Sequence, residues 1–498
     1  MQNACDQIHK AIDSGIVTPE LAEVTIFIDQ KKRYVSIEDN ATGVQEKDFV
    51  TQLGDIANSD KKIGIDKGFR GIGRLCGLAY CRTLVFTTSY AGEAVASRMS
   101  FDAKLMREML ISDKKYTVDE ILDAIVTTET DTEEKDKHYF KVELIDINHE
   151  NTDLLDTAGV RDYLSFVAPV PYTSKFHYRH DIYGHAKKLG FTIDEYKVTV
   201  NGAQLFKEYK TRLYEGANNA RKIYDDVFGV EFKDFYDGKT LIAWAWYGLC
   251  RFEKAIPKAL NPMYGFRLRQ GNIQIGDNTA VASLFKEDRG NSYFIGEIFT
   301  VDKNLIPNSQ RNYFNETPAR INLEEQLRVF FYDELHRLYH VANETKNHYK
   351  KLEAYNDAVA KLQEKHTKGF VDQKEQSRME ATVEDARKKK DAAKKKLEKT
   401  VETLTTSSTL TPEQRVQKEI QYKFEKKNVS SATQKAEKKE TELVEQREEK
   451  ESKYFTDDLS KLDKSKRKLV GQIMGIVSQI APENIAEKIQ AAIEKEFR

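Results

Sequence analysis

Residues 341–462 contain one glycine, Gly369, and one proline, Pro412, in a stretch dominated by Lys, Glu, Gln and Ala. These residue types favour helices, and the stretch has only a thin apolar seam, as in a helical hairpin or coiled coil. We therefore predict a long charged helical arm. Residues 405–411 interrupt it, after which Thr411 and Pro412 begin the second of two helices as N-cap and first helical residue.

The preceding part of the chain has the composition of a globular protein. Helix and strand patterns alternate in it, at residues 2–14 (helix), 24–37 (hairpin), 64–73 (Gly-rich loop) and 83–88 (strand). We predict an α+β fold in four parts: residues 1–162, an α/β middle domain at 163–340, the arm at 341–462, and an amphipathic helical hairpin at 463–498. Pro482 breaks this hairpin, whose apolar stripes must pack on each other or on a second copy.

Charge and composition exclude some functions. The 79 basic and 80 acidic residues give a net charge of −1, which argues against a basic surface over the whole protein. The Lys-rich residues 388–396 are interpreted as a solvated helix face. His177, His180 and His185 are interpreted as solvated side chains rather than metal ligands.

Cysteines and apolar runs indicate the cell compartment. The four cysteines are too scattered for disulfides or zinc and are predicted to be buried thiols: Cys5, Cys76, Cys81 and Cys250. The best apolar run, 241–250, is about half the length of a membrane-spanning helix and suits a buried strand. The polar N-terminus lacks a signal segment, so we expect a cytoplasmic protein without membrane contact.

Three short segments carry the chemistry: QNACDQI at residues 2–8, IEDNATGV at 37–44 and GFRGIG at 68–73. Each alone is weak, because such residues are common in caps and loops. In this order and spacing they resemble the N-box, G1 and G2 motifs of the GHKL superfamily, the ATPases related to gyrase, heat-shock-ninety, histidine kinases and MutL. The resemblance implies a Bergerat-fold ATPase sandwich in the first domain, a transducer-like middle domain, and ATP and Mg²⁺ as cofactors.

The resemblance also implies residue roles. The amide oxygen of Asn3 would bind Mg²⁺, which prefers hard oxygen ligands. The carboxylate of Asp39 would accept a hydrogen bond from the adenine amine, and Gly43 would let the backbone approach the base. The loop residues that would surround the phosphates are Gly68, Arg70, Gly71 and Gly73.

Further residues resemble the ninety-kilodalton heat-shock chaperones. Asp6 and Lys10 complete their N-box pattern, and LGDIANSDK at residues 53–61 resembles the start of their ATP lid. This segment adds Ser59 and Lys61 as cofactor-binding candidates.

Residues 296–312 resemble the middle-domain loop of the same chaperones, in which an arginine reaches the γ-phosphate. This similarity implies that role for Arg311, with Asn315 as a second catalytic candidate. The alternative interpretation is a surface turn before an N-capped helix.

Three departures from the family pattern affect these expectations. Ala41 replaces the first glycine of the G1 motif. The family's general-base Glu would fall before Met1, so either the N-terminus is truncated or ATP is bound without hydrolysis. The Thr that usually precedes the last strand, here predicted at 140–147, has no counterpart, because His138 and Tyr139 stand there.

These observations favour an ATP-binding, ATP-hydrolysing conformational switch that is chaperone-like and homodimeric. In this hypothesis the second domain senses the γ-phosphate and moves the arm, and the partner is a protein client. The alternatives are a MutL- or MORC-like DNA clamp in genome maintenance or phage defence, and a nonhydrolysing ATP sensor. A histidine kinase is least favoured, because no phosphoacceptor helix precedes the N-box.

Overall fold

The computed structural model describes residues 2–54, 73–217, 220–449, 454–459 and 461–498. The chain divides into two compact units, one of Met1–Cys250 with Lys254–Glu334 and one of Arg251–Glu253 with Leu335–Arg498. The first unit contains two large sheets and the second consists mainly of long helices. The predicted α+β fold class is confirmed, whereas the division into four domains stays a prediction.

The first sheet has eight strands in the order β5-β4-β3-β6-β2-β1-β7-β8. They are β1 (Glu23–Asp29), β2 (Tyr34–Asp39), β3 (Cys81–Ser89), β4 (Val95–Asp102), β5 (Val126–Thr132), β6 (Tyr139–Ile147), β7 (Lys197–Val200) and β8 (Ala203–Gln204). The predicted β1–β2 hairpin is confirmed, with Ile26 opposite Ile37. Alternate residues of β1 are buried, as expected for a strand with one face on the core.

Helices of the first sheet contribute to the same core. They are α1 (Gln2–Asp13), α2 (Glu46–Gly54), α3 (Ala103–Ile111), α4 (Val118–Ile125) and α5 (Thr157–Val167). The helix predicted at residues 2–14 is confirmed as α1, and its residues Ala4, Ile8 and Ala11 are buried.

The segment after the Gly-rich loop differs from one expectation. Residues Gly73–Ala79 form a 3₁₀-helix. With three residues per turn, Leu75 and Leu78 share its inner face and Cys76 points outward. The prediction of a buried thiol is therefore wrong for Cys76, which is exposed, whereas Cys5, Cys81 and Cys250 are buried.

The second sheet has the order β11-β12-β15-β13-β14, beside a separate β9–β10 hairpin. Its elements are β9 (Arg212–Glu215), β10 (Lys222–Asp226), β11 (Gly229–Asp237), β12 (Thr240–Leu249), β13 (Gly265–Gln270), β14 (Ile273–Ile275) and β15 (Ile295–Thr300), with helices α6 (Arg179–Lys188) and α7 (Pro318–Val329). The apolar run in β12 is a buried strand, as predicted. The strands β13 and β14 form a hairpin, because Gly271 and Asn272 both have positive φ angles and make a two-residue turn between them.

The second unit is helical. Its helices are α8 (His336–Lys368), α9 (Gln373–Thr406), α10 (Pro412–Lys426), α11 (Val429–Glu449), α12 (Lys464–Ile480) and α13 (Glu483–Phe497). The predicted Thr411 capping box is present. The arm has more breaks than expected, because Gly369 and Asn428, both with positive φ, end α8 and α10.

Three lysines of the arm illustrate its pairing with acidic residues. Lys389 lies 2.7 Å from Asp385, and Lys390 and Lys394 lie 2.8 and 3.2 Å from Glu437. Lys389 and Asp385 are exposed, in agreement with the interpretation of residues 388–396 as a solvated helix face, but that interpretation is wrong for Lys390, which is only 4% exposed. Within the described residues, no helix combines the length and hydropathy needed to cross a bilayer.

Candidate functional site

Asp39 is the last residue of β2, in the interior of the first sheet. It is only 5% exposed, and its Oδ1 accepts a hydrogen bond from the backbone N–H of Ala41 at 3.3 Å. Burial raises the pKa of the Asp39 carboxyl to about 7, against the opposing effect of the Ala41 hydrogen bond. A buried carboxylate at a strand end with a perturbed pKa is typical of a ligand site.

The loop after Asp39 is fixed to the end of β3. Gly43 has φ +68°, and a Cβ atom there would lie 1.8 Å from the backbone oxygen of Ser89. The N–H of Val44 donates to Thr88 Oγ1 at 3.0 Å, and the Thr88 hydroxyl donates to the Tyr139 carbonyl at 2.7 Å. Glycine is therefore required at position 43 by the approach of β3.

Thr88 and His138 were not identified as site residues from the sequence. Phe140 of β6 pairs with Asp39 on one side and with Thr88 on the other, so Thr88 lies two strands from Asp39. His138 Nδ1 lies 2.7 Å from the Ala41 carbonyl oxygen. The hydroxyl of Thr88 thus lies next to β6, the strand that the family's Thr usually precedes, but Thr88 belongs to β3.

We expect Gly43→Ala to destabilise the first sheet, by more than about 2 kcal/mol, because it adds a backbone clash to an unfavourable φ. Gly15→Ala is the matched control: Gly15 has φ +71°, and a Cβ atom added there would have nothing within 4 Å. Gly15→Ala should lower the free energy of unfolding by only about 1 kcal/mol, the cost of placing alanine at a positive φ. Thermal unfolding of both variants measures the difference, and equal losses of stability would contradict the role of the Ser89 contact.

The helix α1 carries Asn3, Asp6 and Lys10 on one face, since they are spaced by three and four residues. Asn3 and Lys10 are exposed, whereas Asp6 is 5% exposed. The helix packs against β1 and β2, so the structure brings the element of Asn3 beside the strand of Asp39.

Several candidates from the phosphate loop and lid lie outside the described residues: Ser59, Lys61, Gly68, Arg70 and Gly71. Gly73 begins the 3₁₀-helix Gly73–Ala79. Their roles stay predictions.

The loop that carries Arg311 follows β15 and folds back on itself. The N–H of Asn308 donates to the Tyr313 carbonyl at 2.9 Å, and that of Asn315 donates to the Ile306 carbonyl at 2.8 Å. Arg311 has φ +54°, and its carbonyl accepts from the Gly276 N–H at 2.8 Å. The backbone of Arg311 is therefore held at the tip of a turn, and α7 follows with Thr317 as its N-cap.

One of the three neighbouring histidines differs from its expected solvated state. His185 Nε2 lies 2.8 Å from Asp234 Oδ1, and its ring stacks on Phe232 at 4.1 Å, so this histidine is packed rather than solvated. In the described part of the chain, no group of three His, Cys, Asp or Glu residues is arranged to hold a metal ion.

Comparison with known proteins matches part of the chain to a family. Residues 6–139 match the family model described as histidine kinase-, DNA gyrase B- and HSP90-like ATPase. The matched range contains Asp39, Gly43, Thr88 and His138; it begins after Asn3 and ends before Arg311. No curated protein matches the chain. The segment from α1 to the start of β6 is thus similar to a GHKL-type ATPase domain, and this match supports ATP binding.

Proposed function

We propose that this protein is an ATP-binding conformational switch in which Asp39 recognises adenine. The observation that carries the proposal is the buried carboxylate of Asp39 at the end of β2, within the segment similar to GHKL-type ATPases. A buried carboxylate is unfavourable without hydrogen-bond donors. The exocyclic amine of adenine is such a donor, and a charge-assisted hydrogen bond to it is directional.

The remaining roles follow from the positions of the other candidates. Asn3 would bind Mg²⁺ through its amide oxygen, on the helix that packs beside β2. Asp6 and Lys10 share the face of α1 that carries Asn3. The N–H groups of the segment around Gly73 would contact phosphate oxygens. Mg²⁺ would neutralise charge between the phosphates.

We further propose that the second sheet senses the γ-phosphate through Arg311 and that the protein acts as a chaperone-like homodimer on a protein client. The pairing of Lys389, Lys390 and Lys394 with Asp385 or Glu437 favours this over a clamp that binds DNA through the Lys-rich residues 388–396. The release of counterions when lysines neutralise phosphates is a main source of DNA affinity. Lysines that are already paired with carboxylates contribute little to it.

The test is the preference for ATP over ADP, measured by calorimetry with Mg²⁺ present. We expect the wild type to prefer ATP and Arg311→Ala to lower that preference by about 10- to 100-fold, the contribution of a hydrogen bond to a charged group. Affinity for ADP should not change. Arg311→Lys should recover part of the preference, because it keeps the charge and loses the two-pronged geometry.

Arg289→Ala is a matched control, since Arg289 is an exposed arginine that pairs with Glu287 in the same unit. It should leave both affinities unchanged. Failure of the wild type to bind ATP would overturn the proposal as a whole. Equal losses of ATP and ADP affinity in Arg311→Ala would show a structural role for Arg311 instead.

A further inference from the structure

A buried cluster of charged and aromatic side chains surrounds Glu297 of β15; we call it the Glu297 cluster. The Glu297 carboxylate accepts hydrogen bonds from Tyr172, Lys207, Tyr209, Trp246 and Arg269. Lys207, Arg269 and Glu297 are all 0% exposed. Lys207 Nζ also donates to Asn272 Oδ1 at 2.7 Å. Two cations and one carboxylate are therefore enclosed within the protein.

The cluster lies where the chain passes between the cores of the two sheets. Ala168 and Val170 belong to the first core and Tyr172 to the second. Leu205 belongs to the first core and Tyr209 to the second, and Lys207 lies between them. The first connecting segment thus passes from one core to the other within two residues and the second within four, and both carry side chains that donate hydrogen bonds to Glu297.

The two connecting segments are also joined to each other and to β13. The N–H of Lys207 donates to the Pro171 carbonyl at 2.8 Å, and the Thr173 N–H donates to the Lys207 carbonyl at 3.1 Å. Arg269 of β13 donates to the Phe166 carbonyl at the end of α5 at 2.8 Å. If the second sheet rotates against the first, either these hydrogen bonds break or the rotation axis passes through the Glu297 cluster.

Stability alone does not account for such a cluster. Replacing a buried ion group by apolar residues is often neutral or stabilising. Lys207 is a second cation beside the Arg269–Glu297 pair, and burial followed by the charge of Arg269 lowers its pKa to about 7, against the opposing charges of Glu297 and Glu195. Because burial of the Lys207 ammonium is unfavourable for folding, its role is better explained by the hydrogen bonds through which it positions the neighbouring segments.

The strand β15 connects this cluster to the loop of Arg311. Glu297 lies in the middle of β15, and residues 301–310 lead from its end to Arg311. β15 pairs with β12 and β13, which carry Trp246 and Arg269. The orientation of β15 against the first sheet therefore sets where the Arg311 loop begins.

We propose that the Glu297 cluster is the joint that fixes the second sheet against the nucleotide-binding sheet, and that Lys207 is a positioning residue for Arg311. This inference rests on the proposed function. It assigns a role to Lys207, Arg269 and Glu297 in coupling the two sheets, although none of them contacts the nucleotide.

Lys207→Met in the full chain tests the inference, because it removes the extra cation, keeps the Arg269–Glu297 pair and retains a long flexible side chain. We expect ADP affinity to be unchanged and the preference for ATP over ADP to fall about fivefold or more. The double variant Lys207→Met with Arg311→Ala should match Arg311→Ala alone, since both changes act on one contact.

Lys390→Met is the matched control. Lys390 is a 4% exposed lysine of the arm, and its replacement should leave the ATP preference unchanged. If Arg311→Ala alters the preference and Lys207→Met does not, the inference is wrong and the proposed function stands. If Arg311→Ala has no effect, the proposed function itself fails.

A second variant keeps the test decisive if Lys207→Met does not fold. Tyr209→Phe removes one hydroxyl, 3.2 Å from Glu297 Oε1, and keeps the packed ring. It should lower the ATP preference about twofold to threefold with unchanged ADP affinity. An unchanged preference in a folded Tyr209→Phe would then overturn the inference.

Discussion

Asp39→Asn is expected to weaken ATP binding by about 10- to 100-fold, the effect of losing a hydrogen bond to a charged group. The amide has the shape of the carboxylate, so the cavity is preserved. It loses the negative charge, and its NH₂ group can face the adenine amine, which places two donors opposite each other. Calorimetric titration with Mg²⁺ and ATP measures the loss.

The effect of Asp39 on folding stability shows whether a loss of ATP affinity in Asp39→Asn comes from unfolding. Burial raises the pKa to about 7, so between about pH 4 and pH 7 the folded state holds a proton that the unfolded state releases. Folding stability from this group therefore falls as the pH rises through that window. Asparagine removes the effect, and Asp39→Asn should be at least as stable as the wild type at pH 8.

Asp146→Asn provides the control for this prediction. Asp146 is an exposed carboxylate on β6, and its replacement should change ATP affinity by less than about twofold, as for most surface substitutions. Unaltered ATP affinity in Asp39→Asn would exclude Asp39 as the adenine acceptor. A lower thermal midpoint at pH 8 than in the wild type would show instead that Asp39 stabilises the fold.

The sequence predicted best what depends on neighbouring residues. The capping box of Thr411 and Gln414 spans four residues, and the β1–β2 hairpin spans a short turn. Asn3 and Asp39 were likewise recognisable as candidates from short motifs. Gly43 was singled out as a glycine that lets the backbone approach the base, which stays a prediction, and the structure adds a constraint that no local pattern contains, the approach of Ser89 on β3.

Contacts between distant segments could not be predicted in the same way. Thr88 and Tyr139 are 51 residues apart, and only the pairing of β3 with β6 brings them together. The Glu297 cluster joins residues 28 and 90 positions apart, namely Arg269 and Lys207 with Glu297. One signal was present: charged residues within the apolar strands β13 and β15 must find buried partners.

Glu297→Gln is expected to destabilise the second sheet by about 3–5 kcal/mol, because it leaves buried cations without their counter-charge. Burial alone would raise the pKa of Glu297, but Arg269 and Lys207 hold it at about 2. The carboxylate thus contributes stability above its ordinary pKa of 4.5, and this contribution is lost as the pH falls towards 2. The difference between wild type and variant should therefore shrink in acid.

Tryptophan fluorescence reports this unfolding selectively. The chain has two tryptophans, and both, Trp244 and Trp246, are buried in β12 of the second sheet. Denaturant titration followed by their emission should give a lower midpoint for Glu297→Gln. Glu287→Gln is the control, because Glu287 forms an exposed pair with Arg289 and should change stability by less than about 0.5 kcal/mol.

Combining Glu297→Gln with Arg269→Met separates charge imbalance from lost packing. If the unpaired guanidinium causes the instability, removing it should recover part of the lost stability, since apolar replacements of buried ion groups are often tolerated. If the double variant is as unstable as the sum of the two single changes, the hydrogen bonds and packing around Glu297 determine stability, and charge imbalance is not the cause. Recovery of stability without recovery of the ATP preference would show that the ion pair is needed for coupling rather than for folding.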